Sequence, residues 1–133
     1  MSVFERITNQ MHSGMILQSP VQKKPFEIQI ESDRLVFLTG AQTPIPMPNA
    51  ILNDIPDFLR GQGWVKIGMG YNRAIEGTLQ NFIDSHPSRG TQHSSDANYV
   101  AVVLEQVRIV EIAINKIAGI DTTRKSSKVR LIE

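Results

Sequence analysis

Ser94-Ser95-Asp96-Ala97-Asn98-Tyr99-Val100-Ala101-Val102-Val103-Leu104-Glu105-Gln106-Val107-Arg108, running on as Ile109-Val110-Glu111-Ile112-Ala113-Ile114, is the stretch that decides the fold. In its first part Ala97, Val100, Ala101, Val103, Leu104 and Val107 recur at spacings of three and four, which predicts a helix with one buried stripe. Ser94, Ser95 or Asp96 can accept the free backbone N–H groups at its start. In the second part the period drops to two. Val110, Ile112 and Ile114 alternate with Glu111 and Ala113, as in a half-buried strand. A second alternating strand, Lys128-Val129-Arg130-Leu131-Ile132, ends the pattern.

Residues 116 to 130 join these strands and carry Lys116, Arg124, Lys125, Lys128 and Arg130 against the single acid Asp121. The whole chain has a formal net charge of only +1, so everything outside this segment is net negative. A locally basic hairpin on a near-neutral body suggests one anion-facing edge.

Upstream of the quoted stretch, Asn49 can cap a helix whose apolar positions include Ile51, Leu52, Ile55, Phe58 and Leu59. Pro56 either kinks that helix or restarts it behind Asp54. Gly61 and Gly63 stop it, and Trp64-Val65-Lys66-Ile67 forms a short strand closed by Gly68. Trp64 is expected in the core, over the helices, with its indole N–H near the surface. Thr78 caps a short helix with Leu79, Phe82 and Ile83 inward, ended by Pro87, and Ser88 to His93 is a polar connection.

From Asn49 the order is therefore helix, strand, short helix, turn, helix, strand, basic hairpin tip, strand. That order, over residues 49–132, resembles the winged helix-turn-helix superfamily. The resemblance implies that the third helix enters the major groove of DNA and that the wing lies on the phosphate backbone. On this chain it assigns Ser95, Asn98, Tyr99, Val102 and Gln106, with Glu105 beside them, to the helix face left free by the buried stripe. Asn98 and Gln106 suit bidentate bonds to adenine, and Ser95 a base edge or a phosphate. Tyr99 would bond phosphate through its hydroxyl or touch a thymine methyl. Lys116, Arg124, Lys125, Lys128 and Arg130 would neutralise phosphates, with Thr122, Thr123, Ser126 and Ser127 bonding beside them. Arg89, with Thr91, Gln92 and His93, would reach the flanking backbone. The helix carries Asp96 and Glu105 and no cation before Arg108, so a second reading stands beside the first. In it the winged helix binds a protein through Asn98, Tyr99 and Val102.

Residues 1–44 form a separate expected unit ahead of a 45–133 winged-helix domain. Ser2 and Glu5 match a capping box, Val3, Phe4, Ile7 and Met11 fall on one helical face, and Gly14 can end that helix. That face either docks on the domain or serves a homodimer, which would give a two-fold-symmetric DNA site. Met15-Ile16-Leu17 is a short strand. Phe26-Glu27-Ile28-Gln29-Ile30 and Leu35-Val36-Phe37-Leu38 are stronger ones, joined by a tight turn at Ser32-Asp33. Pro44, Pro46 and Pro48 then forbid regular structure for several residues.

At 133 residues, 41% hydrophobic and 20% charged, the chain is globular and large enough to bury a core. Zero cysteines exclude disulfides and thiolate metal sites and suit a reducing cytosol. No apolar run nears the roughly 18 residues of a membrane span, and the first residues lack a signal-peptide core, so a cytoplasmic protein is expected. No phosphate loop, nucleophile elbow or paired-carboxylate motif is present. His86 and His93 bracket a loop near Asp84 and Asp96, at a spacing that matches no metal-ligand pattern. Glu27, Glu31 and Asp33 lack the lysine a nuclease site would need. The expected function is duplex DNA binding, as a transcriptional regulator or a recognition domain, with no catalysis, cofactor or metal.

Overall fold

A computed structural model describes residues 1–40, 44–68, 77–89, 96–116 and 125–132, with the backbone alone at 115, 116, 125 and 126. Helix α1 (Val3–Gln10) starts as its sequence dictates: the Ser2 hydroxyl accepts the Glu5 N–H at 3.1 Å. Val3, Phe4, Ile7 and Met11 are all buried, and the Phe4 N–H donates to Asn53 Oδ1 at 2.9 Å on the neighbouring helix α2 (Asn49–Leu59). Of the two uses open to this face, docking within the chain is the one observed. Gly14, with φ +92°, lies in the turn that follows rather than at the helix end.

Four antiparallel strands, β1 (Ile16–Gln18), β2 (Pro25–Ile30), β3 (Arg34–Leu38) and β4 (Ile45–Pro48), form a meander in the order β1-β2-β3-β4. The β2–β3 hairpin closes at Ser32-Asp33, where the Glu31 N–H donates to the Arg34 carbonyl at 2.9 Å. β4 corrects the expectation that its prolines forbid regular structure. In an antiparallel ladder only alternate residues direct their N–H groups to the neighbouring strand. Pro46 and Pro48 sit at alternate positions of an edge strand, where the N–H they lack is not needed. They also deny the outer edge to any further strand. β4 then passes straight into α2. Asn49 does not cap that helix: Pro48 holds the cap position without a side-chain bond, and the Asn49 N–H goes to the Asp33 carbonyl at 2.9 Å. α2 continues through Pro56.

A second sheet comprises β5 (Val65–Lys66), β6 (Val110–Lys116) and β7 (Lys125–Leu131), antiparallel in the order β5-β7-β6. Between β5 and β6 lie α3 (Leu79–Ser85), a 3₁₀ turn (Pro87–Arg89) and α4 (Ala97–Gln106). Thr78 caps α3 by accepting the Asn81 N–H at 3.1 Å. α4 reaches β6 through Arg108, whose φ of +61° turns the chain sharply, and the Ile109 N–H returns to the Leu104 carbonyl.

Both sheets and the four α-helices described feed one hydrophobic core. Phe26, Ile28, Phe37 and Met47 of the meander share it with Ile51, Leu52 and Ile55 of α2. The stripe Ala97, Val100, Ala101, Val103, Leu104 and Val107 is fully buried there, together with Ile67 and Val129. β4, on the C-terminal side of the boundary expected at residue 44, is paired into the first sheet. None of the helices described is long and apolar enough to cross a membrane.

Candidate nucleic-acid interface

Strand parity sets the composition of each face of the β5-β7-β6 sheet. Val65, Val129 and Ile112 pair across its three strands, and Val65 and Val129 are buried. Side chains alternate along a strand, so the neighbours of these residues point the other way. The outer face carries Trp64 and Lys66 beside β7's Lys128 and Arg130, and Glu111 on β6. Lys66 lies directly opposite Lys128, and Arg130 opposite Glu111.

These cations differ in what they already bind. Arg130 donates through Nε to Glu111 Oε1 at 2.7 Å, and its guanidinium lies 4.6 Å from the centroid of the Trp64 ring. Lys66 is exposed and Lys128 half-exposed, and neither meets a carboxylate among the described residues. Like charges placed directly opposite on a sheet repel. Three cations against one carboxylate make this face electropositive.

Trp64 is a correction: it is 41% exposed, not a core residue. Val65 and Ile67 take the inward positions, which leaves Trp64 and Lys66 outside. Ser127 is the converse case. It was expected among the phosphate-binding hydroxyls but shares parity with Val129 and is buried. Lys116 and Lys125 are cross-strand partners at the far end of the hairpin. Thr122, Thr123 and Arg124 lie outside the described residues, as do Ser95, Thr91, Gln92 and His93.

On α4 the meander covers part of the face expected to be free. The Tyr99 ring is 4.7 Å from Phe26 and 5.8 Å from Phe37, centroid to centroid, so Tyr99 is half-buried between the helix and the first sheet. Val102 is partly buried against the core as well. Gln106 and Glu105 remain exposed and Asn98 half-exposed, a narrow stripe without a cation. Glu105 is further engaged, accepting the Ile112 N–H at 3.0 Å.

Arg89 is the clearest correction among the expected DNA contacts. It is 8% exposed, with Nη2 2.5 Å from Asp96 Oδ2 and Nε 3.7 Å from Asp84 Oδ1. Asp96, fully buried at the start of α4, does not cap that helix with its own side chain. Gln80 does so from α3: its Oε1 accepts the Ala97 N–H at 2.8 Å, and its Nε2 donates to Asp96 Oδ1 and Asp84 Oδ1. Burial pushes the Asp96 carboxyl up from its ordinary value, against the opposing pull of Gln80 and Arg89. This network locks α3, the 3₁₀ turn and α4 together. A buried guanidinium already matched by two carboxylates is a strut, not a phosphate ligand.

His86 has a structural place too. Its Nε2 lies 2.8 Å from Asp54 Oδ2, and its ring packs edge-on to Phe82, which stacks on Phe58 at 4.5 Å. These contacts join the end of α3 to α2. Among the described residues no three His, Cys, Asp or Glu side chains are grouped to hold a metal.

Lys66 is the outer-face cation to which the sequence pattern assigns no role. The parity of Trp64-Val65-Lys66-Ile67 is the signal that could have placed it outward, beside the β6–β7 hairpin. Comparison with protein-family models, with curated proteins and with solved structures finds no match to this chain.

Proposed function

We propose that the chain is a non-catalytic DNA-binding protein of the winged-helix kind, which grips duplex phosphates with the outer face of β5-β7-β6 and the basic hairpin beyond it. The observation that carries this reading is the pair Lys66 and Lys128. They stand opposite one another, solvent-accessible, beside Arg130 and without a counter-charge among the described residues. An arrangement that repels itself in the free protein is relieved by a polyanion. The order of elements from α2 to β7 also supports the reading, being the order on which the winged-helix resemblance rests.

The contact set differs from the one the resemblance implies. Lys66 joins Lys116, Arg124, Lys125, Lys128 and Arg130 as phosphate ligands, while Arg89 and Tyr99 leave the set because both are engaged inside the fold. Asn98, Val102 and Gln106 remain for base contacts. This shifts binding energy from base readout towards phosphates, so modest sequence preference is expected, in a regulator or in the recognition domain of a larger assembly. The alternative of a protein-binding face on Asn98, Tyr99 and Val102 loses its tyrosine to the meander. A homodimer would need a surface other than the apolar face of α1.

Fluorescence anisotropy of a mixed-sequence duplex at about 50 and 200 mM salt tests the proposal. Tight, salt-sensitive binding is expected, largely lost when Arg124, Lys125, Lys128 and Arg130 are all changed to Ala. No binding at the lower salt would refute it.

A further inference from the structure

Trp64 remains unexplained by phosphate binding. Its position faces outward by parity, where Thr or Lys would satisfy the strand equally well, yet it places a large apolar ring on a cationic surface. The ring is not isolated. Arg130 lies over it at 4.6 Å and is itself bonded to Glu111, which holds the guanidinium against the ring. Lys66 lies two residues after Trp64, which immediately precedes β5, about 6.8 Å away along an extended chain, and Lys128 faces Lys66 from β7.

We infer that Trp64 and Arg130 form a stacking platform for an unpaired base, flanked by Lys66 and Lys128 for the adjoining phosphates, so that this face takes single-stranded nucleic acid or the frayed end of a duplex. Every base has a π-face, so an aromatic ring or an arginine plane accepts an unpaired base without regard to sequence. A base inside a duplex offers no such face, because its neighbours cover it. On this face duplex phosphates would engage Lys66, Lys128 and Arg130 and leave the Trp64 ring unused, whereas a strand end would engage the cations and the ring together. An apolar protein partner would also use Trp64, but it has no use for two lysines that meet no carboxylate among the described residues. The inference rests on the nucleic-acid reading above and adds the form of the ligand to it.

Trp64 is the only tryptophan in the chain, so intrinsic fluorescence reports this one site. The full chain would be titrated with oligothymidine of about 10 nucleotides, with a blunt duplex, and with the same duplex carrying a single-stranded extension. Saturable quenching by oligothymidine is expected, and the extension should tighten binding roughly tenfold over the blunt duplex. Trp64→Ala should abolish that advantage and leave blunt-duplex affinity and its salt dependence unchanged, while Trp64→Phe should recover part of it. Circular dichroism of both variants, matching the parent, separates loss of stacking from loss of fold. If the blunt duplex binds but the extension adds nothing and fluorescence does not change, the platform is refuted and the duplex-binding reading stands. If no nucleic acid binds in any form, both fall.

Discussion

Arg89 and Lys128 are both cations that the sequence offers to phosphate, and the fold treats them oppositely. Arg89 sits at the α3–α4 junction, buried, with Asp96 and Asp84 as its counter-charges. Lys128 sits on the outer face of the second sheet, with another lysine opposite and no acid beside it among the described residues. What separates a strut from a ligand site is whether the cation is buried with the opposite charge or left open to solvent. A cation matched inside the protein would have to give up that match to bind an anion. An unmatched one gains by binding.

The comparison fails if the two sites respond alike to substitution. Arg89→Ala leaves the Asp96 carboxylate buried without its partner and should destabilise the fold by about 3 to 5 kcal/mol, read from urea unfolding. A loss below about 1 kcal/mol, near what surface changes give, would mean that the ion pair is not structural. Lys66→Ala with Lys128→Ala should stay within about 0.5 kcal/mol of the parent while losing DNA affinity.

Tyr99 sharpens the contrast at the other sheet. Tyr99→Ala removes a half-buried ring packed against Phe26 and Phe37 and should cost about 2 to 4 kcal/mol in the same unfolding assay. Tyr99→Phe keeps the ring and should leave DNA affinity unchanged. Weakened binding by Tyr99→Phe would instead return the hydroxyl to the list of phosphate contacts.

Asp96 gives a smaller effect whose sign is fixed. Its folded-state pKa is raised, so between its ordinary value and the raised one the native state holds a proton that the unfolded chain has released. Stability from this group is therefore full below the ordinary carboxylate value and lost as pH rises through the raised one. The stability difference between parent and Asp96→Asn, measured at a series of pH values, should move in the parent's favour on acidification through that window. An opposite slope would show that Arg89 and Gln80 outweigh burial.

The smallest effect is at Lys66. Lys66→Glu replaces a repulsive cross-strand pair with an attractive one and should raise stability by about 0.5 kcal/mol while weakening DNA binding. A variant that loses stability would indicate that the outer face is not electropositive in the folded chain.

Local pattern carried much of this fold. The stripe from Ala97 to Val107, the Ser2 and Thr78 caps and the Ser32-Asp33 turn are all encoded within a few residues, and each is observed where the periodicity or turn chemistry puts it. What periodicity could not convey was which face a distant element would cover. Nothing in the spacing of α4 says that Phe26 and Phe37, 73 and 62 residues earlier, lie against Tyr99. Nor does it say that Gln80 rather than Asp96 bonds the first N–H of that helix. The prolines of β4 were misleading for a related reason: they forbid an interior strand, and only the sheet order reveals an edge. At the candidate site the hairpin cations were legible as a charge cluster. Lys66 was legible only through strand parity, and Arg89 looked equally eligible because burial does not show in a charge count.

The most direct measurement is the slope of log affinity against log salt for a blunt duplex. It would be compared between the parent, the Lys66→Ala/Lys128→Ala double variant and an Asn98→Ala/Gln106→Ala double variant. With both lysines on phosphates, the first double variant should flatten the slope by about 1.8. The second should lower affinity for a preferred sequence and leave the slope unchanged. A slope that the lysine variant does not alter would contradict the assignment of the outer sheet face to phosphate.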